Sequence, residues 1–191
     1  MPDIKGTRTE KNLLASFAGE SQAYNRYVFA AKVAKKEGYE QIAAIFTETA
    51  DNEQQHAKRF FRFLTGGMVE INAQYPAGVT GTTAENLKAA AEGENEEYSK
   101  LYPEFAKIAI EEGFPQVAAQ FNSVSSVEQH HEERFLMLLK NVEEKTAFKK
   151  AETTKWKCRK CGYIHEGTQA PTKCPCCEHP QGYFEVLTDN Y

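Results

Sequence analysis

An internal repeat constrains the fold of this chain more than any other feature of its sequence. Residues 37–64 align with residues 112–139, and 12 of the 28 aligned positions are identical. In both copies apolar side chains recur at alternating spacings of four and three, which is typical of one buried helical face. A glutamate, followed three residues later by a histidine, interrupts the middle of that face. Each copy therefore predicts a helix that buries a Glu-x-x-His pair.

Helix-forming residues dominate from the N-terminus to about residue 145, and glycines mark the breaks between them. Short glycine-bearing turns join the first helix to the second and the third to the fourth, so each pair should form an antiparallel hairpin. The connection between the two hairpins contains Pro76 and four glycines and is long enough to run the length of a bundle. We predict an all-α four-helix bundle of ferritin-like topology, with one long crossover and helices at about 9–36, 39–65, 83–111 and 114–144.

Acidic side chains occupy positions where these helices should bury apolar ones. One such acid is explained by its lying at the edge of the seam, but five near mid-helix are too costly to bury without cations. Glutamate oxygen and imidazole nitrogen without thiolate suit iron or manganese, and two Glu-x-x-His motifs with two further glutamates are the pattern of di-metal carboxylate bundles. The predicted ligands are Glu20, Glu53, His56, Glu94, Glu97, Glu128 and His131.

The third helix has one residue more than the first, between Tyr98 and Tyr102, when the two are aligned. An extra residue inside a helix is usually absorbed as a π-helical turn, and such turns cluster at functional sites, so we predict one within 95–104. Glu97 lies at this insertion and has no counterpart in the first helix. We hypothesise that a metal ion moves between His56 and this spare carboxylate as its charge changes.

Tyr27 and Tyr102 are repeat-mates on the ligand-bearing sides of their helices. Each is either a core aromatic or a hydroxyl that orients Glu94 or Glu97. His130 is rotated by about 100° from the ligand histidine beside it, so we expect it to face outward.

All five cysteines lie in the last quarter of the chain, and four of them have the spacing C-x2-C-x12-C-x2-C. Four thiolates bind either zinc or one iron, and both remain open at this point, although the many aromatic residues nearby favour iron. The predicted ligands are Cys158, Cys161, Cys174 and Cys177, with Cys176 left over. We expect a metal-binding bundle at 1–146, a polar linker at 147–155 and a small cysteine domain at 156–191.

Composition excludes several classes of function. The net charge is −4, from 23 basic and 27 acidic residues, so the charge does not indicate nucleic-acid binding. No uninterrupted apolar run exceeds five residues, so no membrane-spanning helix is expected. The first residues lack the apolar core of a secretory signal, and a cytoplasmic location is the expectation.

The motifs together resemble the rubrerythrin family over the whole chain. They are GESQA around Glu20, ETADNEQQH ending at His56, GENEEY around Glu94 and Glu97, EQHH ending at His131, and the CRKCGY and CPCC knuckles. The second knuckle has cysteine at a position usually held by a small residue. The x2 spacing favours Cys177 over Cys176 as the ligand.

The resemblance implies a C-terminal rubredoxin-like domain and a peroxidase that reduces hydrogen peroxide to water in oxidative-stress defence. It implies an oxo-bridged pair of non-haem irons held by the bundle ligands above, with one further iron held by Cys158, Cys161, Cys174 and Cys177. His56, Glu97, Tyr27 and Tyr102 are the expected catalytic residues. Electrons would come from rubredoxin or an NAD(P)H-dependent reductase, and the expected assembly is a homodimer or larger. The same ligands permit ferroxidase or oxygen reductase activity. Two alternatives of other classes are iron storage in a shell like that of ferritin and a zinc-ribbon adaptor carried on an inert bundle.

Overall fold

The computed structural model describes residues 2–189. The bundle has the helices α1 (Arg8–Lys36), α2 (Glu40–Phe61), α3 (Thr83–Glu96), α4 (Tyr102–Glu111) and α5 (Pro115–Glu143), with a π-helical turn (Glu97–Leu101) between α3 and α4. The predicted π-helical turn is therefore confirmed, and it divides the third predicted helix into α3 and α4. The second helix ends at Phe61, four residues earlier than predicted, because the chain turns there through i→i+3 hydrogen bonds before Gly66 and Gly67.

Side-chain hydrogen bonds at the helix ends fix how the helices run. The backbone N–H of Thr9, in the first turn of α1, donates to Glu112 at the end of α4 over 2.8 Å. At the other end of the bundle, the Thr83 N–H that begins α3 donates to Glu37 at the end of α1 over 3.1 Å. Because α1 is antiparallel to α3 and α4, and to α2 within its hairpin, α2 and α3 are parallel. Residues 64–82 make the crossover that this arrangement requires.

The apolar core of the bundle lies in two clusters, one on each side of a layer of charged side chains. One cluster is centred on Phe46 and Phe135, and the other on Phe60 and Phe121; all four rings are completely buried. Ring pairs at centroid distances of 5.1 Å join Phe46 to Phe135 and Phe60 to Phe121. The clusters fix the helices above and below the charged layer, and so fix the positions of its side chains.

The C-terminal unit is a three-stranded antiparallel sheet in the order β2-β1-β3, made of β1 (Lys149–Cys158), β2 (Ile164–Gln169) and β3 (Phe184–Val186). Trp156 pairs with His165 on one side and Val186 on the other, and its fully buried ring is the centre of a small core. The indole N–H donates to the Gly167 carbonyl over 3.0 Å. Residues 149–155, where a polar linker was predicted, form the first part of β1, and most of them are exposed.

The sheet unit packs against the turn between α1 and α2. Tyr39 stacks on Phe148 with ring centroids 5.8 Å apart. Gly182, in a short 3₁₀ helix before β3, lies so close to the Gly38 carbonyl that a Cβ atom at this position would overlap it. Within the described residues, no helix is both long and apolar enough to cross a membrane.

Candidate metal centres

Six of the seven predicted bundle ligands come together in the charged layer. They form two groups of four, and within each group the potential ligand atoms lie within 4.8 Å of one another. Glu53 of α2 and Glu128 of α5 belong to both groups. The first group is Glu20, Glu53, His56 and Glu128, and the second is Glu53, Glu94, Glu128 and His131.

The two shared glutamates each direct one oxygen to each histidine. The His56 Nδ1 lies 2.8 Å from Glu53 Oε2 and 2.9 Å from Glu128 Oε1. The His131 Nδ1 lies 3.1 Å from Glu53 Oε1 and 2.8 Å from Glu128 Oε2. The histidine rings are 6.0 Å apart, centroid to centroid. This is the geometry of two neighbouring cation sites bridged by two carboxylates.

One further glutamate completes each group from the remaining helices. Glu20 Oε1 lies 4.0 Å from the His56 Nδ1, and Glu94 Oε1 lies 3.8 Å from the His131 Nδ1. The Tyr27 hydroxyl donates to Glu94 Oε1 over 2.5 Å, and the Tyr102 hydroxyl donates to Glu20 Oε1. The two tyrosines thus orient carboxylates, as one of the two interpretations of the sequence required. Tyr102 contacts Glu20, however, and not Glu94 or Glu97, because the hydroxyl reaches into the other half of the repeat.

Burial and mutual repulsion set the protonation of these carboxyls in the protein without metal. Burial, together with the charges of Glu97, Glu53 and Glu128, raises the pKa of Glu20 well above its usual range. Burial beside Glu53 raises the pKa of Glu94 to about 8. Burial acts in the same direction on Glu53, but its contacts with the two histidines prevail and lower its pKa to about 2.

The histidines respond in the opposite sense to the same contacts. Burial alone would lower their pKa values, but contact with Glu128 and Glu53 raises the pKa of His56 to about 10 and that of His131 to about 12. Without metal, protons on the two imidazoles and on part of the carboxyls balance the buried charge. Cations would replace these protons.

The unsatisfied polar atoms in this layer fit such cations. Glu20, Glu53, Glu94 and Glu128 are at most 1% exposed. Among the described residues, each of the four has a fully buried oxygen without a hydrogen-bond partner of acceptable geometry, and the buried Nδ1 of His131 lacks such a partner too. Buried polar groups are almost always hydrogen-bonded, so this concentration of unpaired oxygen and nitrogen atoms indicates that they are metal ligands. The donor set of four carboxylates and two imidazoles suits iron or manganese.

Glu97 lies outside both groups. It is half-buried in the π-helical turn, one turn after Glu94. Burial and the neighbouring charge of Glu94 raise its pKa well above the usual range, so it lies within the electrostatic reach of the layer. The arrangement with His56 in place and Glu97 withdrawn is one of the two states of the metal-movement hypothesis.

Asn52 is a site residue that the sequence did not predict. Its Oδ1 lies 3.3 Å from the Nε2 of His131, on the far side of the ring from the carboxylates. The repeat-mate of Asn52 is Val127, so this support exists for only one of the two histidines. The His56 side chain is less constrained, because it is 12% exposed, whereas that of His131 is only 1% exposed. An asparagine one residue before a buried Glu-x-x-His was the available signal. His130 is exposed, as predicted.

The four predicted cysteine ligands also come together, with their sulfurs within 4.8 Å of one another. The Cys158 and Cys177 sulfurs are 3.8 Å apart, and those of Cys161 and Cys174 are 3.7 Å apart. Cys176 is exposed and lies outside the group. Burial acts to raise the pKa of Cys174, but hydrogen bonds from the Cys177 and Cys176 N–H groups lower it to about 7, which favours the thiolate that metal requires.

Both cysteine pairs lie in the same kind of tight turn. The Gly162 N–H donates to the Cys158 carbonyl over 2.8 Å, and the Glu178 N–H donates to the Cys174 carbonyl over 2.9 Å. Gly162 and Glu178 both have positive φ angles, 79° and 61°. The second turn therefore has a glutamate in the backbone conformation that glycine adopts in the first.

Comparison with known proteins identifies both parts of the chain. The model of the Rubrerythrin family matches residues 11–139, and that of the rubrerythrin rubredoxin-like domain matches residues 156–185. Rubrerythrin from Porphyromonas gingivalis is 58% identical over 188 residues, which cover 98% of this chain and 94% of that protein. Rubrerythrin from Nitratidesulfovibrio vulgaris is 52% identical over 191 residues, which cover both chains completely.

Solved structures give the same result. Nigerythrin in a mixed-valent state aligns with a TM-score of 0.63 at 30% identity, over 96% of this chain and 91% of that one. A bacterioferritin from Desulfovibrio desulfuricans aligns with a TM-score of 0.66 over 73% of this chain and 82% of that one; at 19% identity it shows the ferritin-like fold alone. Because both family models match in sequence order, and relatives above 50% identity extend over the full length, the chain belongs to the rubrerythrin family.

Proposed function

We propose that this protein reduces hydrogen peroxide to water, with its bundle as the reaction site and its cysteine unit as the electron entry. The protein is a member of an oxidoreductase family whose bundle is a di-iron domain and whose C-terminal unit is a rubredoxin-like domain, so its cofactors are two non-haem irons and one cysteine-bound iron. The observation that carries the proposal is the pair of four-residue groups sharing Glu53 and Glu128. It supports two adjacent metal ions, and breaking one O–O bond takes two electrons and two protons.

The proposed ligands follow from the contacts described above. Glu20, Glu53, His56 and Glu128 would hold one iron, and Glu53, Glu94, Glu128 and His131 the other, with Cys158, Cys161, Cys174 and Cys177 around the third. Two neighbouring ferrous ions, when bound by these residues, would supply the two electrons and polarise the oxygen atoms of the substrate.

The protein contributes the orientation of the ligands and the apolar packing on either side of them. Tyr27 and Tyr102 hold Glu94 and Glu20 by hydrogen bonds in a layer closed on both sides by buried aromatic rings. His131 is fixed by Asn52, whereas His56 is partly exposed. This asymmetry supports His56, rather than His131, as the ligand that would be exchanged for Glu97 on a change of metal charge.

The cysteine unit supports a supply of electrons from outside the bundle. The family generally uses an electron donor and often forms homodimers. For this chain we propose rubredoxin or an NAD(P)H-dependent reductase as donor, and a homodimer or larger assembly. We propose a cytoplasmic location.

Anaerobic stopped-flow spectroscopy of the fully reduced protein tests the proposal. Mixing with hydrogen peroxide should oxidise the bundle rapidly, and the visible absorption of a ferric thiolate should follow. Mixing with oxygen should be slower. Oxidation by oxygen at an equal or higher rate would replace the proposal with ferroxidase or oxygen reductase activity, and the lack of a ferric-thiolate band would exclude electron entry through the cysteines.

A further inference from the structure

A cavity of about 330 Å³ lies beside the π-helical turn, under the crossover segment that joins the two helical hairpins. Glu97 and Tyr102 line it on the side of the metal layer, and Tyr75 and Pro76 of the crossover line it on the side of solvent. It holds several molecules of the size of water, to each of which liquid water gives about 30 Å³. The cavity is thus large enough for hydrogen peroxide and lies next to the one predicted ligand that stays outside both metal groups.

Two of the residues that line the cavity are glycines next to the terminal carboxylates in sequence. Gly19 directly precedes Glu20, Gly93 directly precedes Glu94, and both glycines line the cavity. They are also repeat-mates in the two halves of the chain. A Cβ atom at Gly19 would lie 3.6 Å from the ring of Tyr75, so the missing side chain leaves the space into which that ring packs.

A polar side chain without a partner faces this space. Ser16 lines the cavity and is only 4% exposed, and among the described residues its hydroxyl has no hydrogen-bond partner. Buried hydroxyls are rarely left without a partner, so a small hydrogen-bonding molecule is the expected occupant. Gln22 and Arg26 add further polar groups and are joined to each other by a 2.6 Å hydrogen bond.

Tyr75 is the cover of the cavity. Its hydroxyl donates to the Ala15 carbonyl over 2.7 Å, which ties the crossover to α1, and the residue is 37% exposed. The ring therefore lies over Gly19, on the solvent side of the cavity that Ser16 and Glu97 also line.

We propose that this cavity is the entrance and binding pocket through which hydrogen peroxide reaches the metal layer, and that Tyr75 sets its width. The inference rests on the proposed function. Hydrogen peroxide resembles water in size and in its hydrogen bonds, which suits Ser16, whereas an alkyl hydroperoxide is too bulky to pass the ring.

Rates of oxidation of the reduced, iron-loaded protein test the width. Wild type should prefer hydrogen peroxide to tert-butyl hydroperoxide, and Tyr75→Ala should raise the relative rate of the bulkier oxidant by about tenfold, because size discrimination in a pocket is of that order. Tyr75→Phe keeps the ring and should therefore raise the relative rate of the bulkier oxidant much less than Tyr75→Ala does.

Substitutions at Gly19 test whether the cavity itself is the route. Gly19→Leu should lower the peroxide rate by about tenfold by filling the cavity, and Gly19→Ala, whose Cβ meets only an ordinary contact, should lower it much less. An unchanged rate in Gly19→Leu would place the entrance elsewhere, such as at the exposed edge of His56. If that variant does not fold, Ala15→Leu fills the same cavity.

A second readout does not depend on activity. In the zinc-loaded Ser16→Cys variant, iodoacetamide should alkylate the new thiol, and a bulky maleimide should do so only after Tyr75→Ala is added. Peptide mass spectrometry separates this thiol from Cys176. Equal modification by both reagents, or by neither, would overturn the proposal. If hydrogen peroxide does not oxidise the reduced protein but the alkylation results are as expected, the proposed function is wrong, while the cavity remains an entrance for small molecules.

Discussion

The Tyr102 hydroxyl donates a hydrogen bond to Glu20, although the two residues lie in opposite halves of the internal repeat. The repeat-mates of these residues make the mirror contact, in which Tyr27 donates to Glu94. The two phenols therefore join the hairpins across the metal layer, and each supports the terminal carboxylate of the other half. This exchange makes the halves of the repeat mutually dependent.

Replacing either tyrosine by phenylalanine should destabilise the bundle. Each change leaves a buried carboxylate oxygen without its donor, and we expect a loss of about 2 kcal/mol in the free energy of unfolding. Urea unfolding of the metal-free Tyr27→Phe and Tyr102→Phe variants measures this, with Tyr98→Phe as the control because its hydroxyl contacts Asn95 at a half-buried position. Losses no larger than that of the control would show that the two bonds contribute no special stability.

The shared and unshared carboxylates should differ in their effect on metal content. Glu128→Gln removes a ligand common to both groups, so we expect the isolated protein to lose most of its two bundle irons and keep the iron of the cysteine unit. Glu97→Gln should keep all three irons and slow only the reaction with peroxide. Iron analysis per chain decides the matter, with the exposed Glu133→Gln on the same helix as control. Equal iron loss in the Glu97 and Glu128 variants would contradict the proposed ligand assignment.

The adjacent cysteines Cys177 and Cys176 provide a test position and a matched control for the site of the third iron. Cys177 has its sulfur 3.8 Å from that of Cys158, whereas Cys176 is exposed and outside the group. Cys177→Ser should abolish the visible ferric-thiolate absorption, and Cys176→Ser should leave it unchanged. The opposite result would mean that the knuckle ligates through the other cysteine.

The repeat made most of the metal layer predictable. Glu53, His56, Glu128 and His131 follow from a helical seam of strict spacing, since an acid buried at such a position needs a cation to compensate its charge. The carboxylate that each tyrosine contacts could not be predicted, because the seam shows on which face of its helix a residue lies but not which helix packs against that face. The position of Glu97 outside both groups depends on the backbone path of the π-helical turn. Asn52 was missed because its repeat-mate is Val127, so symmetry gave no signal.

Glu112 should give the bundle a measurable dependence on pH. Its carboxylate accepts from the Thr9 hydroxyl over 2.7 Å and from the N–H groups of Thr9 and Arg8, so it caps α1 from a distant part of the chain. The Thr9 hydroxyl, ahead of these N–H groups and Arg8, lowers the pKa of Glu112 to about 2. Because the folded-state pKa is depressed, the stabilisation is fully present above the unfolded value, near 4.5, and is lost as pH falls from there through about 2.

Thermal unfolding of Glu112→Gln against wild type tests this cap. At pH 7 we expect a loss of about 1 kcal/mol, the usual contribution of a helix cap. The difference between the two proteins should shrink as the pH is lowered from 4.5 to 3. Glu111→Gln, which removes only a surface ion pair with Arg8, should have a smaller effect. A difference that does not change with pH would rule out the carboxylate charge as the cause.

The π-helical turn has a specific source of support in the neighbouring helix. The Tyr102 N–H donates to the Glu97 carbonyl, five residues back, and in this register the Tyr98 carbonyl should accept from residue 103. That residue is Pro103, which has no N–H. The Ser125 hydroxyl of α5 takes its place and donates to the Tyr98 carbonyl over 3.1 Å. The repeat-mate of Ser125 is Ala50, and the first hairpin, whose α1 is regular, needs no such donor.

Ser125→Ala should therefore cost about 1 kcal/mol in unfolding free energy, while the exposed Ser126→Ala should cost little. Pro103→Ala restores the missing backbone N–H, so Ser125 should matter less in that background. A double-mutant cycle on these two positions, measured by urea unfolding, should give a coupling of at least about 0.5 kcal/mol. Strict additivity would show that the serine does not replace the donor that proline lacks. Coupling would tie the position of Glu97 to a residue on a different helix, because the turn that carries Glu97 would depend on Ser125 as the donor to the Tyr98 carbonyl.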